Sequence, residues 1–151
     1  MQQAGDRTNN RTATPWHLWL VGIFFLATYA MGARDYVLCL TVNEAYFESQ
    51  GWHGAVAYFT DYPLVPLVFW TTGLAAGLAA PAALLLRSRW SVPIALVAAL
   101  AQLLLQISTF GSMDRWSMLG PGHSLFDIGV MLSTFALWWY CRAMRTRSVL
   151  G

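Results

Sequence analysis

Polar side chains that interrupt apolar sequence are the first candidates for chemistry in this chain. Three short series combine such residues: Thr28, Gly32 and Asp35; Gln102, Gln106 and Thr109; Asp127, Met131 and Thr134. Within each series the spacing is i, i+4 and i+7, which places all three residues on one face of a helix. Lipid offers polar groups no partner, so such faces should point into a helical bundle. The pattern predicts a polar vestibule that contacts a small molecule through Asp35, Gln106 and Asp127.

Each of these residues also has a purely structural interpretation. Ser124-x-x-Asp127 before an apolar run matches a capping box, with the acid near a positive helix N-terminus. Asp35 follows Arg34 and is alternatively a solvated charge at a membrane interface. Glutamines in membrane helices commonly hydrogen-bond to a neighbouring helix. The sequence leaves both interpretations open.

Catalytic, metal and cofactor patterns are not found in the sequence. His53 and His123 lack the spacing of a metal motif, and His17 and His123 lie at opposite ends of their spans, which disfavours haem. There is no G-x-S-x-G and no Walker sequence. We therefore expect no enzyme, no cofactor and no metal site. The net charge of +2, spread over scattered arginines, also argues against nucleic acid as a partner.

The composition indicates a protein whose main solvent is the lipid bilayer. Hydrophobic residues make up 57% of the chain and charged residues only 11%, against about 25% charged in soluble domains. Four apolar runs approach or exceed the roughly 20 residues that cross a hydrocarbon core: residues 16–33, 64–86, 92–110 and 125–140. We predict an all-α membrane protein, a four-transmembrane-helix bundle spanning residues 15–143. The remaining segments are a disordered arm (1–14), an ordered lid (34–62) and a basic tail (144–151).

The distribution of arginine predicts the orientation of this bundle. Seven of the nine arginines lie in the arm, in the turn between spans two and three, and after the end of span four. The exceptions are Arg34 and Arg115, which share the other side with most of the acids. The positive-inside rule then places both termini in the cytoplasm and the lid in the periplasm. Localisation in the bacterial inner membrane is the corresponding expectation.

Small residues on the second span indicate close helix packing. Gly73-x-x-x-Gly77 lets another helix approach its backbone. Besides the lipid bilayer itself, the partner on this face is either another helix of the same bundle, a second copy in a homo-oligomer, or another membrane protein.

Several motifs match a known pattern. They are Gly32-x-x-Asp35-Tyr36, Asn43-Glu44-Ala45-Tyr46, Tyr58-Phe59 and Leu84-Leu85-Leu86-Arg87-Ser88-Arg89-Trp90. In these stretches the chain resembles a family of small, uncharacterised bacterial four-helix inner-membrane proteins, often labelled "sugar transporter". The resemblance adds Tyr36, Asn43, Glu44 and Tyr46 to Asp35 as a candidate ligand-binding set. The chain departs from the family pattern at Pro63-Leu64, because in that pattern Trp usually follows the Pro.

Two functions are consistent with these observations. The first is a small membrane protein whose outward-facing vestibule binds a small molecule or takes part in its transport. The second is an accessory or assembly subunit of a larger membrane complex. Carriers with alternating access are built from paired repeats, so four helices would need to oligomerise in order to transport.

Overall fold

The computed structural model describes residues 14–150, and the regular secondary structure in this range is helical, without a strand. The helices are α1 (Trp16–Leu40), α2 (Glu44–Gln50), α3 (Ala55–Phe59), α4 (Leu64–Leu85), α5 (Ser91–Ser112) and α6 (Arg115–Thr146). Four of them, α1, α4, α5 and α6, are long and apolar enough to cross a membrane. The prediction of an all-α protein with four candidate spans is confirmed. The arm predicted for residues 1–14 lies outside the described range except for Thr14.

The first and last spans are longer than the hydropathy pattern indicated. Helix α1 continues past Arg34 and Asp35 to Leu40, because charged residues end an apolar run without breaking a helix. Helix α6 begins at Arg115 rather than near residue 125. The stretch predicted as a turn at Gly120 is a kink inside this helix, with Gly120 at φ 83° and ψ 163°.

The four long helices pack side by side in the order α1, α4, α5, α6. Helices α1 and α6 are therefore the two edges of the row, and hydrogen bonds connect them. The Tyr29 hydroxyl lies 2.6 Å from Thr134 Oγ1, which itself donates to the Val130 carbonyl at 2.8 Å. Since the threonine has a single hydroxyl hydrogen, Tyr29 is the donor in this pair. His17 Nδ1 and the Tyr140 hydroxyl, 2.5 Å apart, form a second connection.

The two glycines predicted for helix packing are buried inside this bundle. A Cβ added at Gly77 would lie 2.1 Å from the Tyr29 ring, and one at Gly73 would lie 3.5 Å from Ala101 Cβ. Gly77 thus lets α1 pack against α4, and Gly73 faces α5. The small-residue face is used within the bundle.

The short helices α2 and α3 form an ordered segment at the C-terminal end of α1. Asn43 caps α2, its Oδ1 accepting from the Tyr46 backbone N–H at 2.9 Å, and Gly51 ends it with a φ of 71°. A cluster of buried apolar side chains joins this segment to α1 and α6: Cys39, Tyr46, Phe47, Ala55, Tyr58, Phe59 and Leu119. The segment is therefore packed against the long helices.

The last residues also fold back on the bundle. Helix α6 extends to Thr146, and Val149 and Leu150 are buried in the main core. Arg87 Nε donates to the Val149 carbonyl at 3.1 Å. The segment predicted as a basic tail, residues 144–151, is thus attached to the bundle as far as Leu150.

Candidate functional site

A cavity of about 480 Å³ lies between α1 and α6 and reaches the α2–α3 segment. Its part nearer the middle of the helices is lined mainly by apolar side chains, including Phe24, Met31, Leu74 and Val130. Charged and polar side chains line the part nearer α2 and α3: Asp35, Gln106, Thr109, Arg115, His123 and Asp127. Three predicted residues, Asp35, Gln106 and Asp127, therefore line one cavity. A pocket of this size and mixed lining suits a small amphipathic ligand.

The strongest polar contact in the cavity is the ion pair between Arg115 and Asp127. Arg115 Nε donates to Asp127 Oδ2 at 2.6 Å, and the two side chains are only 11% and 14% exposed. Arg115 Nη1 donates to the Tyr58 hydroxyl at 3.3 Å, and Nη2 lies 3.3 Å from His123 Nε2. An arginine only donates, so His123 Nε2 acts as the acceptor and the imidazole is neutral in this arrangement.

The kink in α6 makes this ion pair possible. Arg115 and Asp127 are twelve residues apart, which along a straight helix is about 18 Å. The backbone of Gly120 adopts a conformation open essentially to glycine alone, and Pro121 restarts the helix where its missing N–H costs little. The break redirects the first turn of α6 so that Arg115 meets Asp127.

The capping-box interpretation of Asp127 is wrong. Ser124 Oγ donates to the Gly120 carbonyl at 3.0 Å, and Asp127 accepts from Arg115. His123 Nε2 also lies 3.7 Å from Asp127 Oδ1. Asp127 is the buried counter-charge of an arginine.

Asp35 and Gln106 contribute polar groups that are less completely paired. The Asp35 side chain is 39% exposed, and its charged neighbour Arg34 lies 3.7 Å away with a side chain that is 69% exposed. Gln106 is 7% exposed, and its Oε1 is buried without a hydrogen-bond partner. A buried acceptor without a partner costs free energy, so Gln106 is well suited to accept a hydrogen bond from a ligand.

The other four predicted ligand-binding residues do not line the cavity. Tyr36 hydrogen-bonds to Thr71 Oγ1 at 2.8 Å, connecting α1 to α4, and Asn43 caps α2. Glu44 is exposed in the first turn of α2. Tyr46 is buried under the Arg34 guanidinium, which lies 5.6 Å from its ring centroid. These residues shape the α2–α3 segment and its junction with α1.

Sequence reasoning missed several cavity residues, above all Arg115. One signal was available, because Arg34 and Arg115 are the two arginines that depart from the charge asymmetry of the chain. The aromatic residues of the cavity, Trp52, Phe59, Tyr62 and Trp70, were likewise not predicted to line it. Their convergence depends on the α2–α3 fold and has no signal in the local sequence.

Tyrosines of the α2–α3 segment and of the link to α4 stay protonated beside the cavity. Burial raises the pKa of Tyr62, and its neighbour Tyr58 raises it further while Arg115 opposes the shift. Burial likewise raises the pKa of Tyr58. Burial and the Asp35 carboxylate together raise the pKa of Tyr46. All three therefore remain neutral hydroxyls at physiological pH.

The cavity presents polar and aromatic groups that can contact a small molecule. Within residues 14–150, His, Cys, Asp and Glu side chains form no group of three that could hold a metal ion. The cavity instead combines one internally paired cation, a carboxylate at its edge, an unpaired amide oxygen and aromatic rings. Comparisons of the chain with protein-family models, with curated proteins and with solved structures find no match. Function is therefore inferred from the residues of the cavity themselves.

Proposed function

We propose that this is an integral membrane protein that binds a small amphipathic molecule in the cavity between α1 and α6. The observation that carries the proposal is the buried Arg115–Asp127 pair in the wall of a cavity of about 480 Å³. Buried charges are expensive in a membrane bundle and usually mark a functional path or site. The cavity volume falls within the range of roughly 300–1,000 Å³ typical of small-molecule sites.

In this proposal both termini lie in the cytoplasm of a bacterium, and the protein resides in the inner membrane. Arginines at the C-terminal ends of α4 and α6 support this orientation, because they lie at the end of the bundle opposite Asp35 and the α2–α3 segment. The α2–α3 segment would then be a periplasmic lid over the cavity. Asp35 lies nineteen residues beyond Trp16, about 28 Å along α1, and so close to the outer interface.

The ligand reaches the cavity from the bilayer. Phe24, Met31 and Phe126 line the cavity and are also exposed on the surface of the bundle. They belong to α1 and α6, the two edges of the helix row, so the mouth between them would face lipid. A molecule that partitions into the membrane can enter there without passing through water.

Binding is proposed here without a transport cycle or catalysis. Four helices lack the paired repeats on which alternating access depends, so transport would require an oligomer. The resemblance to proteins labelled "sugar transporter" adds a candidate family and no ligand. The alternative function, an accessory subunit, would use the Gly73–Gly77 face and the lid. Both glycines are buried within the bundle, which leaves the α2–α3 segment as the surface for a partner.

Filling the cavity tests this proposal. Gly129 lines the cavity and Gly111 does not, and a Cβ at either position meets nothing within 4 Å. We would measure binding of 1-decanol, a neutral amphipathic probe, by native mass spectrometry of detergent-purified protein. Gly129→Phe should abolish the bound probe, whereas Gly111→Phe should keep it. Equal binding by both variants, or no binding by the wild type to any amphipathic probe, would overturn the proposal.

A further inference from the structure

We propose that the cavity selects an amphipathic molecule whose polar end is a protonated amine, with Asp35 as its counter-charge. This inference rests on the proposed function, because it names the ligand class of the same cavity. It depends on four features of the cavity: its charge balance, the occupied donors of Arg115, its aromatic wall and its unpaired acceptor.

The charge balance of the cavity is negative. Four ionisable side chains of the cavity wall decide it: Asp35, Arg115, His123 and Asp127. Arg115 and Asp127 neutralise each other at 2.6 Å, and His123 is neutral because its Nε2 accepts from Arg115. The remaining charge is the Asp35 carboxylate. A cationic group would balance it, whereas an anionic group would add repulsion.

Arg34 does not cancel the charge of Asp35 inside the cavity. Its nearest contact with Asp35 is 3.7 Å, and its guanidinium lies over the Tyr46 ring. Arg34 is largely exposed and does not line the cavity. Exposed ion pairs of this kind contribute little because water screens them, so Asp35 remains available to a ligand.

Arg115 is a poor site for an anionic head group. Its Nε donates to Asp127, its Nη1 to Tyr58 and its Nη2 to His123. Three of its five N–H donors are therefore occupied by protein acceptors. Asp127 already neutralises its charge at 2.6 Å. An anion would be repelled by that carboxylate, or would have to displace it and leave it buried without a cation, which is strongly unfavourable.

Aromatic rings and an unpaired acceptor in the cavity wall suit a cation that only donates hydrogen bonds. Trp52, Phe59, Tyr62 and Trp70 line the cavity, with the Trp70 ring centroid 6.0 Å from that of Phe59 and 5.8 Å from that of Tyr62. The faces of such rings attract cations. The buried Oε1 of Gln106 has no hydrogen-bond partner. An ammonium group has three donors and no acceptor, so Asp35 and Gln106 match it.

The rest of the cavity accommodates an apolar chain. From the polar end it continues past Gly32 and Leu74 to Phe24 and Val130. Phe24 lies eleven residues before Asp35, about 16 Å along α1. An alkyl chain of that length could extend from Asp35 along this wall to the mouth between α1 and α6.

A set of probes with one chain and three head groups tests the inference. We would compare decylammonium, 1-decanol and decanoate at pH 7 for binding to the detergent-purified protein, using quenching of tryptophan fluorescence with native mass spectrometry as a check on stoichiometry. The wild type should bind decylammonium about tenfold more tightly than decanol, as expected for one additional favourable charge contact. Decanoate should bind more weakly than either.

Matched variants identify the residue responsible. Asp35→Asn should remove the preference for the amine over the alcohol, because the ratio of the two affinities depends on the carboxylate. Asp61→Asn makes the same change at an exposed carboxylate that does not line the cavity, and it should keep the preference. Circular dichroism shows whether each variant is folded. Asp35→Glu retains the carboxylate and should keep the preference. If Asp35→Asn does not fold, Asp35→Ser, which also lacks the charge, takes its place.

The outcomes separate this inference from the proposed function. Equal binding of amine and alcohol by the wild type would overturn the inference and leave the proposed function intact. Tighter binding of decanoate would also overturn it, and would indicate that Arg115 exchanges partners. Preference for the amine that survives Asp35→Asn would assign the selectivity to another group and contradict the role of Asp35. Absence of binding by all three probes would count against the proposed function itself.

Discussion

Arg115 Nε lies 2.6 Å from Asp127 Oδ2, although the two residues are twelve positions apart on the same helix. This contact exists because the backbone of α6 breaks at Gly120. The ion pair and the break are therefore a single structural unit.

Removing one member of the ion pair should destabilise the protein more than removing both. Arg115→Met leaves Asp127 buried and unpaired, at a cost of about 3–5 kcal/mol in the free energy of unfolding. Adding Asp127→Leu should recover most of that loss, because no buried charge remains. Denaturant unfolding in detergent, followed by circular dichroism, measures both variants.

Arg34→Met is the control for these two variants. Arg34 belongs to an exposed pair, so its removal should cost less than about 1 kcal/mol. A single Arg115→Met variant that is as stable as Arg34→Met would show that the pair is not effectively buried.

Gly120 should tolerate no side chain. Its φ of 83° and ψ of 163° fall in a region that residues with a Cβ rarely adopt. Gly120→Ala should therefore cost about 1–3 kcal/mol in stability and weaken probe binding, since it disfavours the kink. Thermal unfolding and the decanol assay are the measurements.

Gly122 provides the matched control, two residues further along the same helix. It has an ordinary helical conformation, and a Cβ there meets nothing within 4 Å. Gly122→Ala should be neutral or stabilise by up to about 1 kcal/mol, since alanine is the better helix former. If both variants lose the same stability, the kink is not what Gly120 provides.

The two glycines of α4 should differ in their sensitivity to alanine. A Cβ at Gly77 would enter the space of the Tyr29 ring at 2.1 Å, whereas at Gly73 it would make an ordinary contact at 3.5 Å. Gly77→Ala should cost about 1–3 kcal/mol through overpacking, and Gly73→Ala much less. The free energies of unfolding of the two variants give the comparison.

A second change establishes the cause of the Gly77 effect. Tyr29→Leu removes the ring that a new Cβ would meet, so Gly77→Ala should cost much less in that background than in the wild type. Equal costs in both backgrounds would show that the α1–α4 contact is elsewhere.

Alkaline pH should destabilise the fold through its buried tyrosines. Burial raises the pKa of Tyr62 above its ordinary value, which is about 10. Above that pH the unfolded chain releases the phenolic proton while the folded protein retains it, so the unfolded state binds fewer protons. The free energy of unfolding therefore falls as pH rises, by at most about 1.4 kcal/mol per pH unit for each such group.

Tyr62→Phe tests the assignment to one residue. The Tyr62 hydroxyl is buried without a hydrogen-bond partner, so its removal should change stability little at pH 8. The loss between pH 10 and 11 should be smaller than in the wild type, with Tyr46 and Tyr58 contributing to the remainder. Parallel pH profiles for the two proteins would contradict this prediction.

Features of the fold that depend on residues close together in the sequence could be predicted, whereas features that depend on distant residues could not. Hydropathy and composition depend on single residues and their near neighbours, so the four apolar helices and their approximate positions could be predicted from them. Each i, i+4, i+7 series relates positions a few residues apart on one helix. The order of the spans then places Asp35, Gln106 and Asp127 at the same end of the bundle, and all three line the cavity. Helices α1 and α6 were predicted to be shorter than they are, because hydropathy shows where the chain becomes polar and not where a helix begins or ends.

The remaining features depend on contacts between distant parts of the chain. The motif residues Tyr36, Asn43, Glu44 and Tyr46 were expected to bind ligand, and only the folded α2–α3 segment shows that they lie outside the cavity. Asp127 matched a local capping pattern and instead pairs with Arg115. The sequence by itself determined an apolar four-helix protein with polar groups facing inward, because those properties follow from short-range periodicity. The tertiary structure alone decided which charges pair and which carboxylate stays available, because a kink at Gly120 and the packing of α2 and α3 set those distances.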